Sequence, residues 1–336
     1  NSYAGKYVVL GANLDLANVD WAPIGKAEHG KTTGFAGVFD GQGYTVKNLT
    51  CGTATDAKEY EAVGFFGVIA EGGVVKNLNV QINKIYTDYD LGNYIISGGG
   101  LAGILEKDAV IDHCSVSGAK QVISVNAGSK AALGGLVGQM QTGAVIANSW
   151  TDVGLNYGTI SMENVDVYMG GICGKQANSS LIANSASFGS VPGMIYQGSI
   201  HVGGLVGYTS GALYNCYTRR LTKAQKLSVN EFATNDIGHM AVATENGAAF
   251  YQCYYDKNAD QFNNSDLAGD PSEGKTERRQ AIGWDSEDNK TDDTFIQGMS
   301  ASELASSSFV NTLNSNKNNT TKAAANAYFQ SKSLLS

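Results

Sequence analysis

The stretch Gly135-Leu136-Val137-Gly138, followed eight residues on by Ile146-Ala147-Asn148, decides the fold, because both halves of it recur. Gly64-Phe65-Phe66-Gly67, Gly100-Leu101-Ala102-Gly103, Gly171-Ile172-Cys173-Gly174 and Gly204-Leu205-Val206-Gly207 repeat the first half. The second half places an apolar residue two positions before Asn48, Asn77, His113, Asn148, Asn184, Asn215 and Gln252, at spacings of 29, 36, 35, 36, 31 and 37 residues. Self-similarity at such a period marks a repeat architecture, and it takes precedence over other fold assignments.

Each repeat reads as three short strands bounded by turn residues. The glycine-flanked apolar run comes first, then the apolar-x-Asn strand (Val145 to Thr151), then an alternating strand such as Thr159 to Met162 or Ser199 to Val202. Alternation over short segments is the strand signal. Three strands in about 35 residues describe an all-β protein, a parallel β-helix (β-solenoid) of about seven coils. In such a stack an inward Asn at one position per coil bonds backbone and the next Asn, and His113 and Gln252 can take the same place. The paired glycines read as tight corners. A phosphate-binding loop is excluded, since no helix and no Lys-Ser/Thr pair follows them.

Composition narrows the partners. The 336 residues include 42 Gly but only 3 Pro, 16% are charged and the net charge is −8. Without a basic stripe, nucleic acid is not an expected partner. No apolar run is long enough to cross a bilayer, so membrane insertion is not expected either. The five cysteines (Cys51, Cys114, Cys173, Cys216, Cys253) form no Cys-x-x-Cys pair or zinc spacing. Cys114, Cys216 and Cys253 directly follow the amide position, where other coils have Ser149 and Ser185, so they read as packing thiols. Cys216 and Cys253 fall on adjacent coils, which leaves a disulfide open but unneeded.

Residues 1–50 read as an N-terminal opening coil whose aromatics close the core, residues 51–255 as the repeat coils, and residues 256–336 as an irregular loop and a helical C-terminal cap. Ser300 and Glu303 form a capping-box pattern, and Leu304, Phe309, Val310 and Leu313 supply an apolar docking face.

Gly-Gly-Leu-Val-Gly followed by Val/Ile-x-Asn-Ser/Cys resembles the GLUG motif repeats of bacterial surface and secreted proteins. Trp21-Ala-Pro-Ile-Gly25 with Phe35 to Leu49 is similar to the coil that often precedes such repeats, and Gly298 to Leu304 with Phe309 to Asn314 to the helical segment that often follows. The resemblance spans about residues 7 to 315. It implies a right-handed β-helix in an exported protein, located extracellularly or at the cell surface. GLUG repeats occur in adhesin-like proteins, as accessory regions of IgA-peptidase-type proteases, and beside carbohydrate-active domains. The motif residues are structural, so no catalytic residue carries over.

β-helix enzymes that act on polysaccharide need acidic residues gathered on one outer face. The acidic candidates are Asp88, Asp90, Asp112, Asp152, Glu163 and Asp166, and none recurs at a shared repeat phase. Asp40 reads as turn chemistry, and Arg219, Arg220 and Lys223 as a solvated turn. His29, His113, His201 and His239 sit in no protease motif. Aromatics carry more weight among the 17 tyrosines. Tyr86, Tyr89 and Tyr94 cluster in one insertion, while Trp150, Tyr217 and Tyr254 share a repeat position and form an outward row. Flat rings with polar tips suit sugar stacking and protein contacts, so these six are the candidate ligand-binding residues. The sequence points to a non-catalytic, adhesin-like module, expected to be monomeric, that binds a polysaccharide or a host-surface glycan or protein. No catalytic residue, metal ligand or cofactor is assigned, with Ca²⁺ at the acidic turns left open. The alternatives are a polysaccharide lyase or glycoside hydrolase with a groove on the β-helix, and a structural spacer or stalk.

Overall fold

Val75, Ile111, Ile146, Ile182, Leu213 and Phe250 occupy one register line of consecutive parallel strands, and each is at most 3% exposed. This apolar ladder is the repeat seen in the sequence, and it forms one wall of a parallel β-solenoid. The computed structural model describes residues 2–89, 92, 94–119, 122–127, 130–157, 165–191, 198–219, 234–238, 240–243, 248–256 and 296–318.

Four parallel sheets run along the axis, not three. The amide sheet has eight strands, from Tyr7–Val9 to Ala249–Tyr251. The long sheet passes through strands such as Asn79–Tyr89 and Trp150–Asp152 and ends on Ile296–Met299. Two six-stranded sheets complete the section: a leading sheet (Ala62–Val63 to Thr234–Gly238) and a trailing sheet (Phe66–Ile69 to Ala241–Ala243). Six coils therefore carry all four strands, against about seven expected. The extra sheet arises because the glycine-flanked run is two strands joined by a corner. Gly135-Leu136 turns between Lys130–Gly134 and Val137–Met140, with Leu136 fully buried. Corner stacks on corner: the Leu101, Leu136 and Ile172 N–H groups donate to Leu136, Ile172 and Leu205 carbonyls at 2.8–3.0 Å.

The amide row differs from the inward ladder that the sequence suggested. Asn48, Asn77, His113, Asn148, Asn184, Asn215 and Gln252 all have left-handed backbone, φ from 48 to 57°. The six from Asn77 to Gln252 form the corner between the amide sheet and the long sheet, with side chains on its outer side, whereas Asn48 sits at a bulge inside the long-sheet strand Thr45–Cys51. Asn tolerates this conformation better than most residues do, so backbone geometry selects the amide. The side chains then stack: Asn184 Nδ2 donates to Asn148 Oδ1 at 3.2 Å, and Asn215 Nδ2 to Asn184 Oδ1 at 2.8 Å. Carboxylates accept elsewhere, Asn48 bonding Asp15, Asn77 Asp40 and Asn148 Asp112 at 2.8–3.1 Å. His113 holds the corner geometry and pairs with Asp112 at 2.9 Å.

The Ser/Cys position next to the corner works in the same way in the five coils from Cys114 to Cys253. Ser149 Oγ donates to Ala147 O at 2.6 Å and accepts the Cys114 N–H at 3.1 Å, and Cys216 Sγ lies 3.3 Å from Tyr214 O. All five cysteines are buried and free. Burial pushes the Cys51 and Cys114 thiols up to about 12.

Aromatics plug the N-terminal end, as expected. Trp21 stacks on Phe65 with centroids 4.9 Å apart and donates its indole N–H to Phe65 O, while Phe35, Phe39 and Phe66 interlock edge-on beside them. At the other end, helix α1 (Ala301–Leu304) opens on the expected capping box, and helix α2 (Ser307–Asn318) follows. Leu304 and Phe309 are buried and Leu313 packs beside them. Val310, expected on the docking face, is 52% exposed because α2 presents that side to solvent. Asn316 extends the amide stack, donating Nδ2 to Asn215 Oδ1 at 3.2 Å and to Tyr254 Oη at 3.0 Å.

Two stability measurements check this account. Asn184→Ala should cost about 2 kcal/mol in urea denaturation, from a strained left-handed corner and a broken amide bond, and Asn184→Gly clearly less. Asp40 is buried, which alone would raise its pKa. Hydrogen bonds from Tyr7, Asn77 and the Gln42 N–H, with Lys76 nearby, instead hold it down at about 2. Its stabilisation is complete above the unfolded value near 4 and is lost as the pH falls through 2. Between those limits the wild type should lose about 2 kcal/mol relative to Asp40→Asn in denaturation curves.

Candidate functional site

The glycine corner shapes the outer surface. A Cβ on Gly138 would stand 2.7 Å from Gly98 N, one on Gly174 2.5 Å from Leu133 N, and one on Gly207 2.5 Å from Met169 N. The leading and trailing strands therefore approach so closely that only glycine fits between them. Their outer faces look at one another across a crease that runs along the rod. Gln139 Nε2 on the trailing wall reaches Ser97 Oγ on the leading wall at 2.5 Å.

Towards the N-terminal end, the antiparallel hairpin Lys26–Glu28 and Lys31–Thr33 crosses the crease, seating Ala27 on Ala62, Val68 and Ile104. The space beside it is a groove of about 610 Å³ lined by Thr32, Glu61, Tyr94, Glu106, Gln139 and Gln141, among others. Glu71, Glu106 and Gln141 come from turns that follow the trailing strands of successive coils. Glu106 accepts the Glu71 N–H at 3.0 Å and bonds Thr32 Oγ1, and Glu71 pairs with Lys107 at 3.1 Å. Glu61 accepts the Gly30 N–H at 2.9 Å through Oε1.

Farther along, the crease fills itself. Tyr168 stacks on His201, with centroids 5.0 Å apart and planes 10° off parallel, and Tyr208 closes on both. Lys175 Nζ lies 4.4 Å from the Tyr168 ring centre, a cation–π distance. Burial lowers the Lys175 pKa. Burial, together with the hydrogen bond donated to Asp166 at 2.6 Å, raises that of Tyr168. Asp166 also lies 3.7 Å from His201 Nε2.

The six candidate ligand-binding residues separate. Tyr94 lines the groove and is 40% exposed. Tyr86 and Tyr89 lie half-buried on the long sheet, Tyr86 5.9 Å from Lys84 Nζ and Tyr89 against the core. Trp150, Ala186, Tyr217 and Tyr254 do share one register line. Phe188 bridges the Ala186 gap, its ring centre 6.3 Å from Trp150 and 5.5 Å from Tyr217. Phe309 of α2 packs edge-on against Tyr217 and Tyr254, leaving Tyr254 7% exposed, while Trp150 stays 42% exposed.

The acidic candidates are not brought together. Asp112 lies on the amide sheet, Asp88 and Asp152 on the long sheet and Asp166 in the crease. Asp90, Glu163, Arg220, Lys223 and His239 lie outside the described residues. The carboxylates that converge are Glu61, Glu71 and Glu106, which sequence reasoning did not single out. The repeat alignment gives only part of this: aligning the turns after Ile69, Leu105 and Met140 puts Ala70, Glu106 and Gln141 side by side, with Glu71 one residue further along its turn. Among the described residues, no three metal-ligating side chains are grouped to hold an ion, and no helix is long and apolar enough to cross a membrane.

No family model and no curated protein matches this chain. Among solved structures, it is similar to a putative immunoglobulin A1 protease from Bacteroides ovatus, at 22% identity and a TM-score of 0.44, over 74% of this chain and 78% of that one.

Proposed function

We propose that this chain is an exported, non-catalytic recognition module of the adhesin-like kind, built on GLUG-type coils, which takes an extended glycan in the groove beside the hairpin. The observation that carries the reading is the lining: an accessible Tyr94 ring among the hydroxyls of Thr32 and Thr142 and the amides of Gln139 and Gln141. A flat apolar face ringed by groups that both donate and accept matches the alternation of apolar faces and hydroxyls on a sugar ring. Coils packed on one continuous core make a rigid support. Trp150 and Phe188 offer a second aromatic surface on the long sheet.

The carboxylates favour binding over cleavage. An acid/base pair needs groups free to exchange protons with the substrate. Glu106 is engaged through both oxygens, and Glu71 is tied to Lys107.

Affinity gel electrophoresis against host and dietary polysaccharides, with and without Ca²⁺, tests the proposal. Retardation without released oligosaccharide is expected on at least one matrix. Tyr94→Ala should weaken it about tenfold, the loss of one ring–ligand contact of roughly 1–1.5 kcal/mol. Trp150→Ala should have less effect. Released product would make the chain an enzyme, and a chain that migrates freely on every matrix would be a spacer.

A further inference from the structure

Glu61 is 5% exposed, and its oxygens are treated differently. Oε1 accepts the Gly30 N–H, whereas Oε2 is shielded from water and has no hydrogen-bond partner among the described residues. A buried carboxylate oxygen left unpaired is costly, and an approaching donor, above all a charged one, would offset that cost. The terminal torsion of a glutamate is soft, so either oxygen can turn to the groove.

The surroundings ask for a cation. Three glutamates line the groove against a single lysine. Lys107 is already held 3.1 Å from Glu71 and 3.8 Å from Asp108. Tyr94 is steadied by the edge of His29, centroids 5.8 Å apart, and a ring so placed can accept a cation on its face. The net charge of −8 draws positive ligands in from a distance.

We propose that the groove is a subsite for an amine-bearing sugar, with Glu61 taking the ammonium group and Tyr94 packing against the ring. This deepens the glycan-binding reading and rests on it. A basic peptide fits less well. Peptides that add to sheets need a free strand edge, and Ala102–Leu105 in the groove wall is paired on both sides. The rim offers side-chain hydroxyls and amides instead, which suit sugar hydroxyls.

Calorimetric titration of the full chain with a glucosamine hexamer and its fully N-acetylated counterpart, in mildly acidic buffer, tests this. The amine hexamer should bind at least about tenfold tighter, and added salt should shrink that advantage. Glu61→Gln should abolish the preference, the amine hexamer losing at least about tenfold more affinity than the acetylated one. Tyr94→Ala, at an exposed ring, should weaken both, and it keeps the test informative if Glu61→Gln fails to fold. Equal binding of the two hexamers, a preference that survives Glu61→Gln, or Glu61-dependent binding of hexalysine with equal affinity would overturn the inference. If neither hexamer binds while a neutral polysaccharide is still retarded in gels, the inference falls and the glycan reading stands. If no glycan binds at all, both fall.

Discussion

Every coil has to turn at the same place, and the turn between the amide sheet and the long sheet is a single residue in left-handed conformation. Six side chains from Asn77 to Gln252 meet that condition with φ near +50°. If one corner opened, the next strand would land out of register and its core residue would face solvent. The amide side chain adds a second restraint, because it bonds the neighbouring coil at the point where the backbone is most strained. The apolar ladder, the buried serine and cysteine row and the four-sheet section all follow from this corner.

A second constraint is opposite in kind. At the leading–trailing corner the constraint is close approach, which leaves no room for a Cβ on Gly138, Gly174 or Gly207. The absence of side chains there folds two outer faces towards each other, which converts a convex rod into one with a crease. The groove at its N-terminal end exists because the hairpin bridges that crease, and the Tyr168–His201–Lys175 cluster shows the same crease filled from within.

The period, the parallel stacking, the aromatic plug and the capping box were legible in sequence because each is written in local residue types. The fourth sheet was not, since a Gly-Leu corner and a short strand look alike when the strands beside it are four or five residues long. The placement of the amides outside the barrel was also hidden, because an Asn that pairs inward and an Asn that turns the chain share one spacing. Among the aromatics, repeat phase correctly aligned Trp150 with Tyr217 and Tyr254, but it could not show that Phe309, some fifty residues later in the chain, would cover two of the three. The groove carboxylates escaped notice for a related reason. Glu61 precedes a leading strand while Glu71 and Glu106 follow trailing strands at different offsets, and only the hairpin, which belongs to no repeat, closes the space between them.

The amide stack also has a direction. From Asn148 onward each Asn Nδ2 points back, so Asn148, Asn184 and Asn215 each present an oxygen to a donor that follows. Carboxylates accept from corner amides at Asp40 and Asp112, since a first acceptor needs no donor of its own. A coil duplicated between Asn148 and Asn215 would bring both halves of the next bond with it, and the rod could lengthen by copying alone. Asn316, arriving on a helix from outside the repeat, takes the Asn215 oxygen. The stack is thus written as a polarity, with a carboxylate for its first sign and a borrowed asparagine for its stop.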